Sequence, residues 1–148
     1  MNAAGPYDLD RFVTAQQGVM PQVIAELQAG RKRTHWMWFV FPQLRGLGRS
    51  PTAQFYGIVS LDEARAYLAH PVLGPNLDRS TRAVLAVEHR SVHEIFGSPD
   101  DLKFHSSMTL FALAADDQDS PFRRALARWW HGRMDQATLQ LLGIDEPG

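Results

Sequence analysis

Apolar positions recur at three- and four-residue spacing through most of the chain, and no segment sustains the strict alternation of a half-buried strand. The pattern predicts helices. Leu9, Phe12, Val13 and Gln16 fall on one face of a first helix that Asp8 can cap. Pro21 suits the first turn of a second helix, with Val23, Ile24 and Leu27 turned inward and Gly30 as its stop. Ser60-Leu61-Asp62-Glu63 has capping-box spacing and opens a helix that must end before Pro71. Leu73, Leu77, Val84, Leu85 and Val87 continue at helical spacing. Ser91-Val92-His93-Glu94 repeats the box for a short helix ending at Gly97. Ser98-Pro99-Asp100-Asp101 opens a long helix, and Ser120-Pro121 and Asp135 open two more. The segment from Trp36 to Phe41 is aromatic enough for a strand, but a lone strand has no partner, so a short helix or buried extended piece is expected. The fold class is all-α: one domain over residues 1–148, of about seven or eight helices, with its core between about 7 and 143.

Charge changes this picture by its placement. The net charge is −1, yet the segment from Leu27 to Leu61 has no acid and carries Arg31, Lys32, Arg33, Arg45 and Arg49. Such asymmetry suits an anionic partner, although solvated arginines would give the same count. With no cysteine, thiolate metal sites and thiol nucleophiles are excluded. His89 and His93 are four apart, but the cap at Ser91 breaks the helix between them, so no metal is expected. No cofactor motif is present and none is called for. The longest apolar run has six residues, far short of the ~20 that span a bilayer, so no membrane partner is expected. The start, Met1-Asn2-Ala3-Ala4-Gly5-Pro6, is unlike a signal peptide, which makes the cytoplasm the expected compartment.

Two segments carry candidate chemistry. The first is His35-Trp36-Met37-Trp38-Phe39-Val40-Phe41-Pro42-Gln43. Much of it must be core, but Trp36 and Trp38 with His35 and Gln43 at the ends also have the make-up of a wall for a flat ring. Gly46 and Gly48 follow, and allow close approach of backbone to a ligand. Ser50 with Pro51 starts a helix whose N–H groups suit phosphate, with Arg45 and Arg49 beside it. The second segment lies on the long helix, where Asp100, Lys103, Ser107 and Ser106 form a polar stripe between apolar flanks. A buried ammonium needs an anion, and Lys103 has two candidates: Asp100 three residues earlier or a ligand.

On these residues the chain resembles the bacterial domain of unknown function 1810 family. The resemblance rests on the nine-residue aromatic string, Gly46-Leu47-Gly48-x-Ser50, Lys103-x-x-Ser106-Ser107-Met108-Thr109-Leu110-Phe111, and Glu63-Ala64-x-Ala66-Tyr67-Leu68 with His70-Pro71-x-Leu73-Gly74. It covers Tyr7 to about Leu142 and implies a small helical domain without a known reaction. Members are sometimes mislabelled calpastatin, a disordered inhibitor that this chain does not resemble. Lys103-Phe104 and Glu63-Ala64 also resemble, more loosely, the NADAR class linked to ADP-ribose chemistry.

The function remains open on this reading. The expectation is a small anionic, nucleotide-like ligand, such as an ADP-ribose derivative, that is bound or hydrolysed. Arg45, Arg49 and the Gly48–Ser50 backbone would hold phosphate, Trp36 or Trp38 would stack, and Lys103 would meet the anion. For glycosidic cleavage Glu63 or Asp100 would supply the carboxylate. The alternative is a non-enzymatic module for nucleic acid or an acidic protein, using Arg31-Lys32-Arg33 beside the tryptophans.

Overall fold

Polar side chains placed at helix starts set much of the architecture. The structure is a computed structural model that describes residues 6–145. Its helices are α1 (Asp10–Gln16), α2 (Met20–Gln28), α3 (Met37–Val40), α4 (Pro51–Phe55), α5 (Leu61–Ala69), α6 (Leu73–Leu85), α7 (Val92–Phe96), α8 (Asp100–Ala115), α9 (Pro121–Trp130) and α10 (Gln136–Leu142). Ser50, Ser60, Ser91 and Ser120 each accept a hydrogen bond from the backbone N–H three residues on. Asp135 does the same for Thr138. Such a cap contributes about 1 kcal/mol. At Ser91 the box is complete, because the Glu94 carboxylate accepts the Ser91 N–H in return.

The chain is all-helical, as its periodicity predicts, but the described residues form ten helices rather than seven or eight. Three of the ten are short pieces that a count of full helices passes over, although the sequence marks the starts of α4 and α7: α3, α4 and α7 have four or five residues each. The Trp36–Phe41 segment is one of them, a single turn over Met37–Val40. Asp8 does not cap α1. Leu9 stands at that position without a side-chain bond, and Asp8 instead offers its carbonyl to Arg11. The described residues contain no strand; the nearest thing is an isolated parallel bridge between Leu44 and Ile58.

The centre is α8. It packs against α5, α7, α9 and α10, while α6 lies against α2, α5 and α9. Its expected two apolar flanks need correction. From Phe104 inward nearly every side chain is buried, whereas Leu102 in the first turn is 65% exposed. Helices on several sides bury α8 nearly all round, which leaves only its N-terminal turn to meet solvent.

A chain of aromatic contacts runs through the core. Phe12 meets Tyr67 at 5.1 Å, Tyr67 meets Phe111 at 5.3 Å, and Phe41 meets Phe104 at 5.1 Å between ring centres. Each fully buried aromatic of this kind contributes on the order of 2–3 kcal/mol. One polar knot sits within it. Gln16 donates to the Phe39 carbonyl (2.8 Å) and to Tyr67 Oη (3.0 Å) and accepts from Asn76 (2.8 Å), tying α1, α3, α5 and α6 together. Burial raises the Tyr67 hydroxyl's pKa, against the Gln16 hydrogen bond and the Arg11 charge. It therefore stays protonated and can donate to Phe39 O.

Candidate functional site

The aromatic string divides into two environments because α3 is a single turn. Trp36, just before it, points inward and is 2% exposed. Its indole N–H donates to Glu26 Oε1 at 2.9 Å. Glu26 also accepts from the backbone N–H of Arg33 (2.7 Å) and Thr34 (3.0 Å), from Thr34 Oγ1 (2.7 Å) and from Gln22 (2.8 Å). Burial alone would raise its pKa, but the donors, Arg33 N–H foremost, outweigh this and bring it down to about 2. Trp36 is thus a core residue with its polar atom satisfied, and not a stacking wall.

Trp38, on α3, is only half-buried. Lys103 Nζ lies 4.0 Å from the centre of its ring, within cation–π range. The same ammonium donates to Asp100 Oδ1 at 3.1 Å, and Lys32 Nζ meets Asp100 Oδ2 at 2.8 Å. Lys32 in turn stands 5.2 Å over the Trp36 ring. Two lysines, each above a tryptophan, therefore share one carboxylate and leave a net positive charge. Burial pushes the Asp100 carboxyl up, yet the two ammonium groups, Lys32 first, hold it below its ordinary value. The side chain of Lys103 is 19% exposed, so the corner is open to solvent.

The glycine turn reaches the same corner. A Cβ on Gly48 would lie 3.7 Å from both Trp38 Cη2 and Gln43 Nε2, and 2.7 Å from Ala53 Cβ. Only glycine fits there, because Ala53 already packs against the position and a side chain would push against the Gln43 amide and the Trp38 edge. Gly46 has φ +106, and Leu141 sits against it. Gln43 itself is 9% exposed, and its side-chain amide makes no hydrogen bond among the described residues. Its backbone is fixed, with the carbonyl accepting from Ile58 N at 3.0 Å.

The structure therefore brings together Trp38, Gln43, Gly48, Asp100 and Lys103, with Trp36 behind them in the core. The other candidates separate from this group. Glu63 is 2% exposed and consumed: it pairs with Arg11 at 2.9 Å and accepts Val59 N–H at 2.8 Å. With Arg11 and Arg45 it lines a different cavity of about 300 Å³, so it cannot serve as the carboxylate beside Lys103. Ser50 spends its hydroxyl on Ala53 N–H (3.1 Å), and α4 has only five residues, too short for a strong dipole. Arg49 and His35 are exposed and make no side-chain hydrogen bond, ion pair or ring contact among the described residues. Ser106 is structural, donating to Asp135 Oδ2 at 3.0 Å across to α10. Ser107 lies one turn below Lys103 on α8, fully buried, and its Oγ has no hydrogen-bond partner among the described residues.

The family model for proteins of unknown function called DUF1810 matches residues 6–142. The chain belongs to the DUF1810 family. A solved structure of this shape is that of the conserved hypothetical protein Rv1873 from Mycobacterium tuberculosis, 57% identical, with a TM-score of 0.90 over 95% of this chain and 99% of that one. No curated protein matches. Among the described residues of this DUF1810 protein no three metal-ligating side chains cluster, and no helix is long and apolar enough to cross a membrane.

Lys32 and Glu26 are the residues whose roles sequence reasoning missed. A signal existed for Glu26, which is the only acid of α2 and falls on the same face as Val23 and Leu27. A carboxylate on an inner face must collect donors. Lys32 precedes Trp36 by four residues but lies before α3, in irregular chain, so no periodicity pairs the two.

Proposed function

We propose that the corner of Trp38, Gln43, Gly48, Asp100 and Lys103 binds a small nucleotide-like anion. The observation that carries this reading is the Lys103 ammonium: it lies over an indole face, is partly open to solvent, and shares its counter-ion with a second lysine. A phosphate or carboxylate entering there gains a cation without stranding Asp100, which keeps Lys32. Trp38 supplies flat apolar surface and Gln43 a polar edge, the usual division of labour in a ligand pocket. Arg49, exposed on the same glycine turn, adds a second cation for phosphate. An ADP-ribose derivative fits this chemistry and agrees with the looser likeness of Lys103-Phe104 to the NADAR class.

Binding is favoured over hydrolysis. A general acid must hold a proton near neutral pH, and Asp100 is held ionised by its two lysines. Glu63 is locked by Arg11. The test is thermal unfolding with AMP, ADP and ADP-ribose. A ligand at a hundred times its Kd stabilises by about 2.7 kcal/mol, a rise of roughly 5–10 °C for a domain of this size. Lys103→Met should abolish that rise. No rise with any of the three in the unmodified protein would overturn the reading.

A second reading, nucleic-acid binding, has one observation in its favour: Arg31, Arg33, Arg45 and Arg49 form no ion pair among the described residues. Retention on single-stranded DNA that falls steeply with salt is the expected result. Absent or salt-independent retention would exclude it.

A further inference from the structure

We infer that Gln43 is the specificity residue of this corner and that the ligand's ring presents a hydrogen-bond donor and an acceptor side by side, as the amide or amidine edge of a nucleobase does. The inference rests on the anion-binding reading above and deepens it.

Gln43 is more than nine-tenths buried, which for an amide ordinarily requires hydrogen-bonded partners. Its main chain is fixed by the bridge to Ile58, yet its carboxamide has no hydrogen bond among the described residues. It is not among the sealed, orphaned atoms, a group that includes Ser80 and Ser107 hydroxyls, so solvent reaches it. The amide nitrogen and the Trp38 ring edge stand at equal distance from the missing Cβ of Gly48. The polar group and the aromatic edge thus flank the same glycine, where an added Cβ would run into Ala53 Cβ at 2.7 Å and push against both. Lys103 marks the charged side of the same indole.

A carboxamide offers one carbonyl acceptor beside one NH₂ donor. Its complement is any ring edge with an adjacent donor and acceptor, which it grips with two parallel bonds. Adenine offers such an edge in its exocyclic N–H and the neighbouring ring nitrogen, and hypoxanthine in its ring N–H and carbonyl. Sites that hydrogen-bond a ligand edge reject analogues lacking it far more strongly than apolar pockets do, because their own groups are then left unpaired.

Gln43→Glu replaces the carboxamide with a carboxylate, which accepts at both oxygens and donates at neither. That substitution should suit guanine, whose ring N–H and exocyclic N–H are two adjacent donors. The experiment is calorimetric titration of the whole chain with AMP, IMP, GMP and ribose 5-phosphate, the last lacking a base. In the unmodified protein AMP or IMP should bind at least tenfold more tightly than ribose 5-phosphate. Gln43→Glu should weaken AMP and IMP by tenfold or more relative to ribose 5-phosphate and raise the GMP-to-AMP preference. Gln43→Met, close in size and without charge, covers the case in which the charged variant fails to fold. It should bring AMP, IMP and GMP to within about threefold of one another, since stacking on Trp38 tolerates any base and only the edge readout is removed. Base preferences unchanged in both Gln43 variants, while Lys103→Met removes binding, would overturn the role of Gln43 and leave the anion site standing. Binding of none of the four by the unmodified protein would overturn both.

Discussion

Trp36 and Trp38 are two residues apart in one aromatic string, and they end in opposite circumstances. Trp36 is sealed, its N–H bonded to a carboxylate that gathers five donors in all. Trp38 is half-open, with a lysine over its face and a neighbouring amide that has no hydrogen-bond partner among the described residues. Both regions use the same materials: an indole, a lysine above it and a carboxylate nearby. What separates them is polar satisfaction. Around Trp36 every donor has found its acceptor, which is what a buried polar group requires. Around Trp38 capacity is left over, on Gln43 and on a lysine whose counter-ion is shared. The first arrangement is how a helical core anchors a loop, and the second is what a core has no reason to leave.

The largest expected effect breaks the sealed side. Glu26→Ala strands the Trp36 N–H inside the protein and releases the Arg33 and Thr34 amides. It should cost about 3–4 kcal/mol, and lower the midpoint of thermal unfolding by roughly 10 °C. Loss of less than about 1 kcal/mol would mean that the carboxylate is not the anchor. Acid should act on the same group. The folded pKa of Glu26, about 2, lies below the ordinary 4.5. Its contribution of about 3 kcal/mol is therefore fully present above pH 4.5 and is lost as the pH falls toward 2. Denaturant titrations between pH 6 and pH 2.5 should show a shallower acid limb in Glu26→Gln than in the parent. Parallel limbs would remove Glu26 from the account of acid sensitivity.

Much of the fold is legible in the sequence for a specific reason. Ser60, Ser91, Ser120 and Asp135 cap where their spacing says they should, because a cap depends on three or four neighbouring residues and nothing else. The miscount of helices follows from the same locality. A single turn such as α3 is too short for periodicity to register, whereas α7, nearly as short, is announced only by its capping box. The candidate corner was half legible. Lys103 with Asp100 can be read from i,i+3 spacing, and Trp38 with Gln43 from the aromatic string. The pairing of Lys32 with Asp100 cannot, since 68 positions separate them and only the packed chain brings them to 2.8 Å. Glu63 misled for a related reason. Its backbone N–H meets Ser60 Oγ as the spacing predicts, but its carboxylate accepts from Val59 rather than Ser60 and pairs with Arg11 on α1, contacts that no local pattern announces.

A middle-sized test sharpens the contrast between the two tryptophans. Trp36→Phe keeps most of the apolar area but removes a hydrogen bond to a charged acceptor, at a cost of about 2 kcal/mol. Trp38→Phe only weakens a partly exposed cation–π contact, because a phenyl ring still faces the ammonium, at a cost of about 0.5 kcal/mol. The ratio is the informative quantity, read from denaturant midpoints of the two variants. Equal losses would mean that Trp38 is core as much as Trp36 is, and that the open corner has no special standing.

The smallest effect is expected at Lys103, and it carries the most weight for function. Asp100 has two ammonium partners, and they differ: Lys32 is closer, at 2.8 Å, and 8% exposed, while Lys103 is at 3.1 Å and 19% exposed. Lys32→Met should therefore cost more, about 1–2 kcal/mol, because it removes the better buried partner. Lys103→Met should change stability by about 0.5 kcal/mol or less, since Asp100 keeps Lys32 and the methionine chain still covers the indole. Combining the two substitutions should cost clearly more than the sum of the single losses, because only then is Asp100 left without a cation. If Lys103→Met alone proves as damaging as Lys32→Met, the ammonium is a strut of the fold. A lysine that can be removed at little cost to stability is instead free to meet a ligand's charge.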